Sequence, residues 1–150
     1  MEGVVPRLTA GIAVAALLVV SAIPVQAVGP GPTLDVATPI EGSFMRRGKQ
    51  MFMGVACDKT ARKGSGVDRV QVFLGDRDKG GVFFVPGGYL GTATLGLPTT
   101  GGPCTGVDGA GWKLKTKSLK KGKWTVFFYA RSSVTGVETV QQIHIRVDKP

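Results

Sequence analysis

The chain has 150 residues, 43% of them hydrophobic and 19% charged, and a mean hydropathy of +0.15. This composition excludes overall disorder, and the length excludes an enzyme with separate cofactor and substrate domains. Lys and Arg number 19 against 10 Asp and Glu, a formal charge of +9, while one His, two Cys and no Asn leave few parts for a catalytic site.

Residues 1–27 carry Arg7 near the start, a charge-free apolar run of 13 residues from Gly11 to Ile23, then Pro24 and the small residues of Val25-Gln26-Ala27. This order predicts a secretory signal-peptide helix cut after Ala27. The alternative, an uncleaved anchor, needs about 20 apolar residues, more than the run supplies. Cleavage removes Arg7 and Glu2 together, so the exported part keeps a charge of +9. The expected location is secreted, extracellular or cell-surface. Cys57 and Cys104 both lie in the exported part, which predicts a disulfide, with two free buried thiols as the alternative.

Residues 28–33, Val-Gly-Pro-Gly-Pro-Thr, predict a flexible or polyproline-like lead. Turn residues then recur at short intervals, and the stretches between them favour β-branched and aromatic residues. Strands are predicted near 34–38, 49–57, 67–74, 81–85, 89–95, 112–117, 123–131 and 137–148. Trp112, Leu114 and Thr116 alternate with Lys113, Lys115 and Lys117; Ile143, Ile145 and Val147 alternate with His144, Arg146 and Asp148. Period two gives each strand one buried and one solvated face. Seven or eight such strands over 34–150 imply two antiparallel sheets packed as a β-sandwich.

Several segments resemble bacterial Ig-like domains. Phe52 to Asp58 is similar to their G-x-A-x-D second strand, and Gly66 to Val72 to their GV-x-x-V-x-V third strand. Trp112 followed by Leu119 to Val126 resembles their W…L-x-x-G-x-(aromatic)-x-V pattern. Tyr129 to Gly136 resembles their A-x-D-x-x-G hairpin, with Ser132 where an acidic residue is usual. The resemblance implies an all-β, Ig-like sandwich serving as a surface, adhesion or spacer module.

For chemistry the sequence offers less. Leu97-Pro98-Thr99-Thr100-Gly101 matches a sorting signal but lacks the apolar span that such signals need downstream. Asp76 to Gly80 resembles the start of a calcium loop, but Gly87 stands at the closing Glu position, so a surface turn is expected. His144 has no partner ligands or nucleophile nearby in sequence, so no metal, no cofactor and no enzyme activity are expected.

Two binding surfaces remain. Lys113, Lys115, Lys117, Lys120, Lys121 and Lys123 form a basic row suited to an anionic polymer rather than to sequence-specific nucleic-acid recognition. An alternative reading of the Lys excess is protection of sheet edges. In an Ig-like strand order, Phe73, Phe127, Tyr129, His144 and Arg146 would share an outward face suited to a protein partner or second copy. A spacer domain without a ligand of its own is the main rival, and a carbohydrate-binding accessory of a hydrolase, with Tyr89 stacking on a sugar ring, comes third.

Overall fold

The structure is a computed structural model that describes residues 29–79, 84–99 and 101–148. The leader at 1–27 lies outside the described residues. Among the described residues nine strands follow in order: β1 (Thr33–Thr38), β2 (Ser43–Arg46), β3 (Met51–Cys57), β4 (Val67–Gly75), β5 (Phe84–Thr92), β6 (Thr94–Leu97), β7 (Gly111–Lys115), β8 (Gly122–Ser132) and β9 (Glu138–Asp148). A 3₁₀ turn, Gly102–Cys104, lies between β6 and β7. One sheet has the order β1-β3-β7-β6, the other β2-β9-β8-β4-β5, and together they form an Ig-like sandwich.

Most predicted strands fall within a residue or two of their observed ends. Four features differ, one of them the strand expected at 89–95, which splits at Ala93 between the end of β5 in one sheet and β6 in the other. β2 was not predicted, because four residues with only Phe44 and Met45 apolar show no usable period. It also pairs with β9 in parallel, Phe44 beside Arg146, whereas the sequence implied antiparallel sheets throughout. The bend after β1 delivers the chain from the first sheet to the second, where the Gly42 amide donates to the His144 carbonyl at 2.8 Å. Finally, Thr33 belongs to β1, and Pro32 is buried, so the lead is packed against the domain from Gly29 onward rather than extended into solvent. Most of the strand predicted at 81–85 falls outside the described residues, and its last two positions open β5.

The interior is filled by every second side chain, as the alternation requires. Phe52, Trp112 and Leu114 from the four-stranded sheet meet Val70, Val72, Val126, Phe128, Ile143, Ile145 and Val147 from the other. Phe128 is the meeting point, its ring centroid 5.8 Å from Phe52 and 5.9 Å from Trp112. Trp124 is only half-buried at the edge of this cluster, where its indole N–H donates to the Lys120 carbonyl at 2.9 Å. Gly54 sits opposite Trp112 on β3. A Cβ there would lie 2.8 Å from the indole and collide with the Asp35 carbonyl, so the large ring requires a residue without a side chain across the ladder.

Candidate functional site

The alternation along β7 sets the geometry of the basic row. Trp112 and Leu114 are buried while Lys113 and Lys115 are exposed. The pattern continues past the strand end: Thr116 and Leu119 are buried, and Lys117, Lys120, Lys121 and Lys123 are exposed. Lys113 and Lys115 each stand between two buried residues, which turns both side chains outward. Among the described residues, none of the six lysines has a carboxylate within ion-pair distance; Lys117 instead places Nζ 5.2 Å from the Tyr89 ring centre. Tyr89 also bonds to Thr92 Oγ1 and packs 5.1 Å from Phe73, while its side chain stays exposed.

Register adds residues that the sequence reading did not place there. Lys115 is opposite Met51, and Lys113 is opposite Met53 on one side and Thr94 on the other, so two exposed methionines share the face of the lysines. Next to them lies a depression of about 360 Å³, lined among others by Asp35, Met53, Val55, Leu97, Gly111 and Lys113. The segment between β2 and β3 brings Arg46, Arg47 and Lys49, all exposed, beside the chain that leaves β7. Two staples hold the segments together. Gly48 and Leu119 exchange backbone hydrogen bonds of 3.2 and 2.9 Å, and Thr116 accepts from the Gln50 amide at 2.9 Å while donating its own amide to the Gln50 carbonyl at 2.8 Å. Such long-range neighbours carry no signal in a linear reading of residues 46–49.

The aromatic panel is corrected at its centre. Phe73, Phe127 and Tyr129 do lie together on the outward face of the five-stranded sheet, Phe73 opposite Phe127 and diagonal to Tyr129 two positions along β8. Tyr129, however, is 1% exposed. The Arg77 guanidinium covers its ring at 3.9 Å, and its hydroxyl donates to Asp76 Oδ1 at 2.8 Å and accepts from the Arg77 amide at 3.1 Å. Arg77 is in turn paired with Glu138, which also receives Arg69. The turn after β4 therefore folds back over the panel, and Tyr129 is a fastening rather than a contact residue. Burial and the adjacent Asp76 carboxylate push the Tyr129 hydroxyl above its ordinary range.

His144 and Arg146 are exposed, as expected, but at the other end of that face. His144 Nδ1 lies 2.8 Å from Glu41 Oε1, and its amide donates to Glu41 Oε2 at 2.9 Å. Arg146 is stacked 5.7 Å from the ring of Phe44, which is 75% exposed and was not among the predicted contact residues. Among the described residues no Ser, Thr or Cys side chain bonds to His144, and no group of three or more His, Cys, Asp or Glu could hold a metal.

The two cysteines are bonded, Cys57 to Cys104, with Cα atoms 5.9 Å apart. Beside the bridge, Asp58 is 5% exposed and supplies what Ser132 lacks. The Ser132 hydroxyl accepts from the amides of Val134 and Thr135 at 3.0 and 2.9 Å and donates to Asp58 Oδ2 at 2.5 Å. The hairpin carboxylate usual in the resembled family is thus replaced by a serine backed by Asp58, the residue that follows β3. Ser132 and Thr60 hold Asp58 below the usual carboxylate range, and the Arg77 hydrogen bond does the same for Glu138. A carboxyl group with a lower pKa folded than unfolded stabilises the fold above its unfolded pKa of about 4, and this contribution disappears as pH falls through the folded value. Melting temperature should therefore fall as pH drops below about 4, and Asp58→Asn should flatten that fall while lowering stability at pH 7. An unchanged acid profile in the variant would remove Asp58 from the account.

Neither a protein-family model nor a curated protein sequence matches the chain. Among solved structures it is similar to CopC from Methylosinus trichosporium OB3b, with a TM-score of 0.46 and 16% identity over 79% of this chain and 94% of that one. It is also similar to the fibronectin(III)-like modules of Clostridium thermocellum CbhA, with a TM-score of 0.45 and 13% identity over 79% of this chain and 47% of that one. No residue role is carried over from either.

Proposed function

We propose that the protein is a secreted or cell-surface Ig-like binding module, without enzyme activity, that holds an anionic polymer on its lysine row. The observation that carries this reading is the row itself. Lys113, Lys115 and Lys117 are exposed and have no carboxylate partner among the described residues. Strand geometry sets Lys113 and Lys115 about 6.8 Å apart, and Lys117 follows just past the strand end, so the charges form a row along which a linear polyanion can lie. Uncompensated like charges repel one another, and an anion relieves that repulsion. The Cys57–Cys104 bridge supports an oxidising location.

A protein contact is a second reading, favoured by one observation: Phe44 stands exposed beside Arg146 and near His144. Its contact surface would centre on those three residues and not on Tyr129. A spacer without a ligand predicts no saturable binding on either surface.

Retention on a heparin-type resin tests the first reading. The protein should bind at low salt and elute progressively as the Debye length shrinks from about 30 Å at 0.01 M to about 8 Å at 0.15 M. The triple variant Lys113→Glu, Lys115→Glu, Lys117→Glu should pass through unretained with its melting temperature kept. Retention that ignores both salt and these substitutions would contradict the reading.

A further inference from the structure

The topology gathers nine of the chain's 19 Lys and Arg residues into two segments that contain no Asp or Glu, residues 46–50 and 113–123. Each segment runs from one sheet to the other, the first from β2 to β3 and the second from β7 to β8. The Gly48–Leu119 and Gln50–Thr116 hydrogen bonds join them at one end of the sandwich. Leu119 and Thr116, each 2% exposed, anchor the second segment in the interior, so the backbones that carry the charges are held before any ligand arrives. Between them opens a depression of about 410 Å³ lined by Arg47, Ser118, Leu119, Lys120 and Lys121. That size lies within the usual range for small-ligand clefts, about 300–1,000 Å³.

We propose that this depression is a binding site for closely spaced phosphate groups, such as those of a condensed phosphate chain. The inference rests on the anionic-partner reading above and names the ligand chemistry at a different part of the same basic surface. Three cations, one of them a guanidinium, surround one small volume, and none has an ion-pair partner among the described residues. A single carboxylate, as an acidic sugar supplies once per ring, neutralises one of the three. A phosphate chain brings several charges into the same space. Its tetrahedral oxygens accept the paired N–H groups of Arg47 and leave others for the Lys120 and Lys121 ammonium groups. The Ser118 hydroxyl is a further neutral donor on the wall. The lysine row of β7 leads to this point through Lys117, so a longer chain can continue along it.

Calorimetric titration of the full chain with sodium tripolyphosphate at low salt tests the site. Saturable one-to-one binding is expected, weakened by about tenfold or more in Arg47→Ala, Lys121→Ala, since each loses charge-assisted hydrogen bonds. Both side chains are exposed, so the variant should melt with the parent. The row variant Lys113→Ala, Lys115→Ala should keep tripolyphosphate affinity within about threefold, because its charges act only through screened solvent. Citrate, with its carboxylates on a branched carbon skeleton, should bind more weakly than tripolyphosphate. No tripolyphosphate binding, binding indifferent to Arg47 and Lys121, or equal affinity for citrate overturns the inference, whatever the heparin resin shows. Heparin retention that ignores the row variants, with tripolyphosphate binding intact, removes the row reading and leaves this site standing.

Discussion

Replacing both bridge cysteines, Cys57→Ala with Cys104→Ala, is expected to lower the free energy of unfolding by about 4 kcal/mol. The bridge spans 47 residues of sequence, and in the chain-entropy picture its loss frees that loop in the unfolded state. The loop contains β4, β5 and β6, so the bridge closes segments of both sheets into one circuit. It also pins the 3₁₀ turn against β3, where Val55 and Ala110 pack around the two fully buried sulfurs. Urea unfolding of the parent and the double variant checks this. A midpoint shift equivalent to less than about 1 kcal/mol would mean that the turn is held by its other contacts and the loop is not a significant source of stability.

Trp112→Ala is expected to cost about 3–5 kcal/mol, the range for deleting a large aromatic from a core. Trp112 is 1% exposed and its ring packs on Phe128, Gly54 and the inner surface of both sheets. The same residue orders the basic row, since its burial forces Lys113 to the opposite side of β7. Trp112→Phe should be far milder, within about 1.5 kcal/mol, because it keeps an aromatic ring and deletes an indole N–H that has no protein acceptor. Thermal and denaturant unfolding of the two variants distinguishes a packing role from a simple preference for any apolar residue. Equal losses in both would contradict the geometry described for the ring.

How far the sequence was legible depended on whether local period or distant contact decided a feature. Two-residue alternation over β7, β8 and β9 is strong because each strand has one wet face, so the sandwich, the buried side of each strand and the outward lysines could be read directly. β2 was lost because four residues are too few for a period and its partner lies about 100 residues away in sequence. Tyr129 was misplaced for another reason. Its strand parity does put it on the outward face, but parity is silent about a turn that folds back, and Arg77 with Asp76 then covers it. Asp58 and Ser132 show the same limit. Each was visible as part of a motif, while the hydrogen bond joining them across 74 positions was not. Nothing local in residues 46–49 signals proximity to Lys120; the backbone hydrogen bonds between Gly48 and Leu119 create it.

The most direct test of the account is a residue-resolved amide NMR titration of the protein with a heparin fragment and, separately, with tripolyphosphate. Shifts are expected to concentrate in residues 46–50 and 113–123, with the row dominating for the fragment and the Arg47–Lys121 end for the phosphate. Shifts centred on Phe44, His144 and Arg146, on the 59–63 loop, or spread without focus over the surface would contradict this expectation.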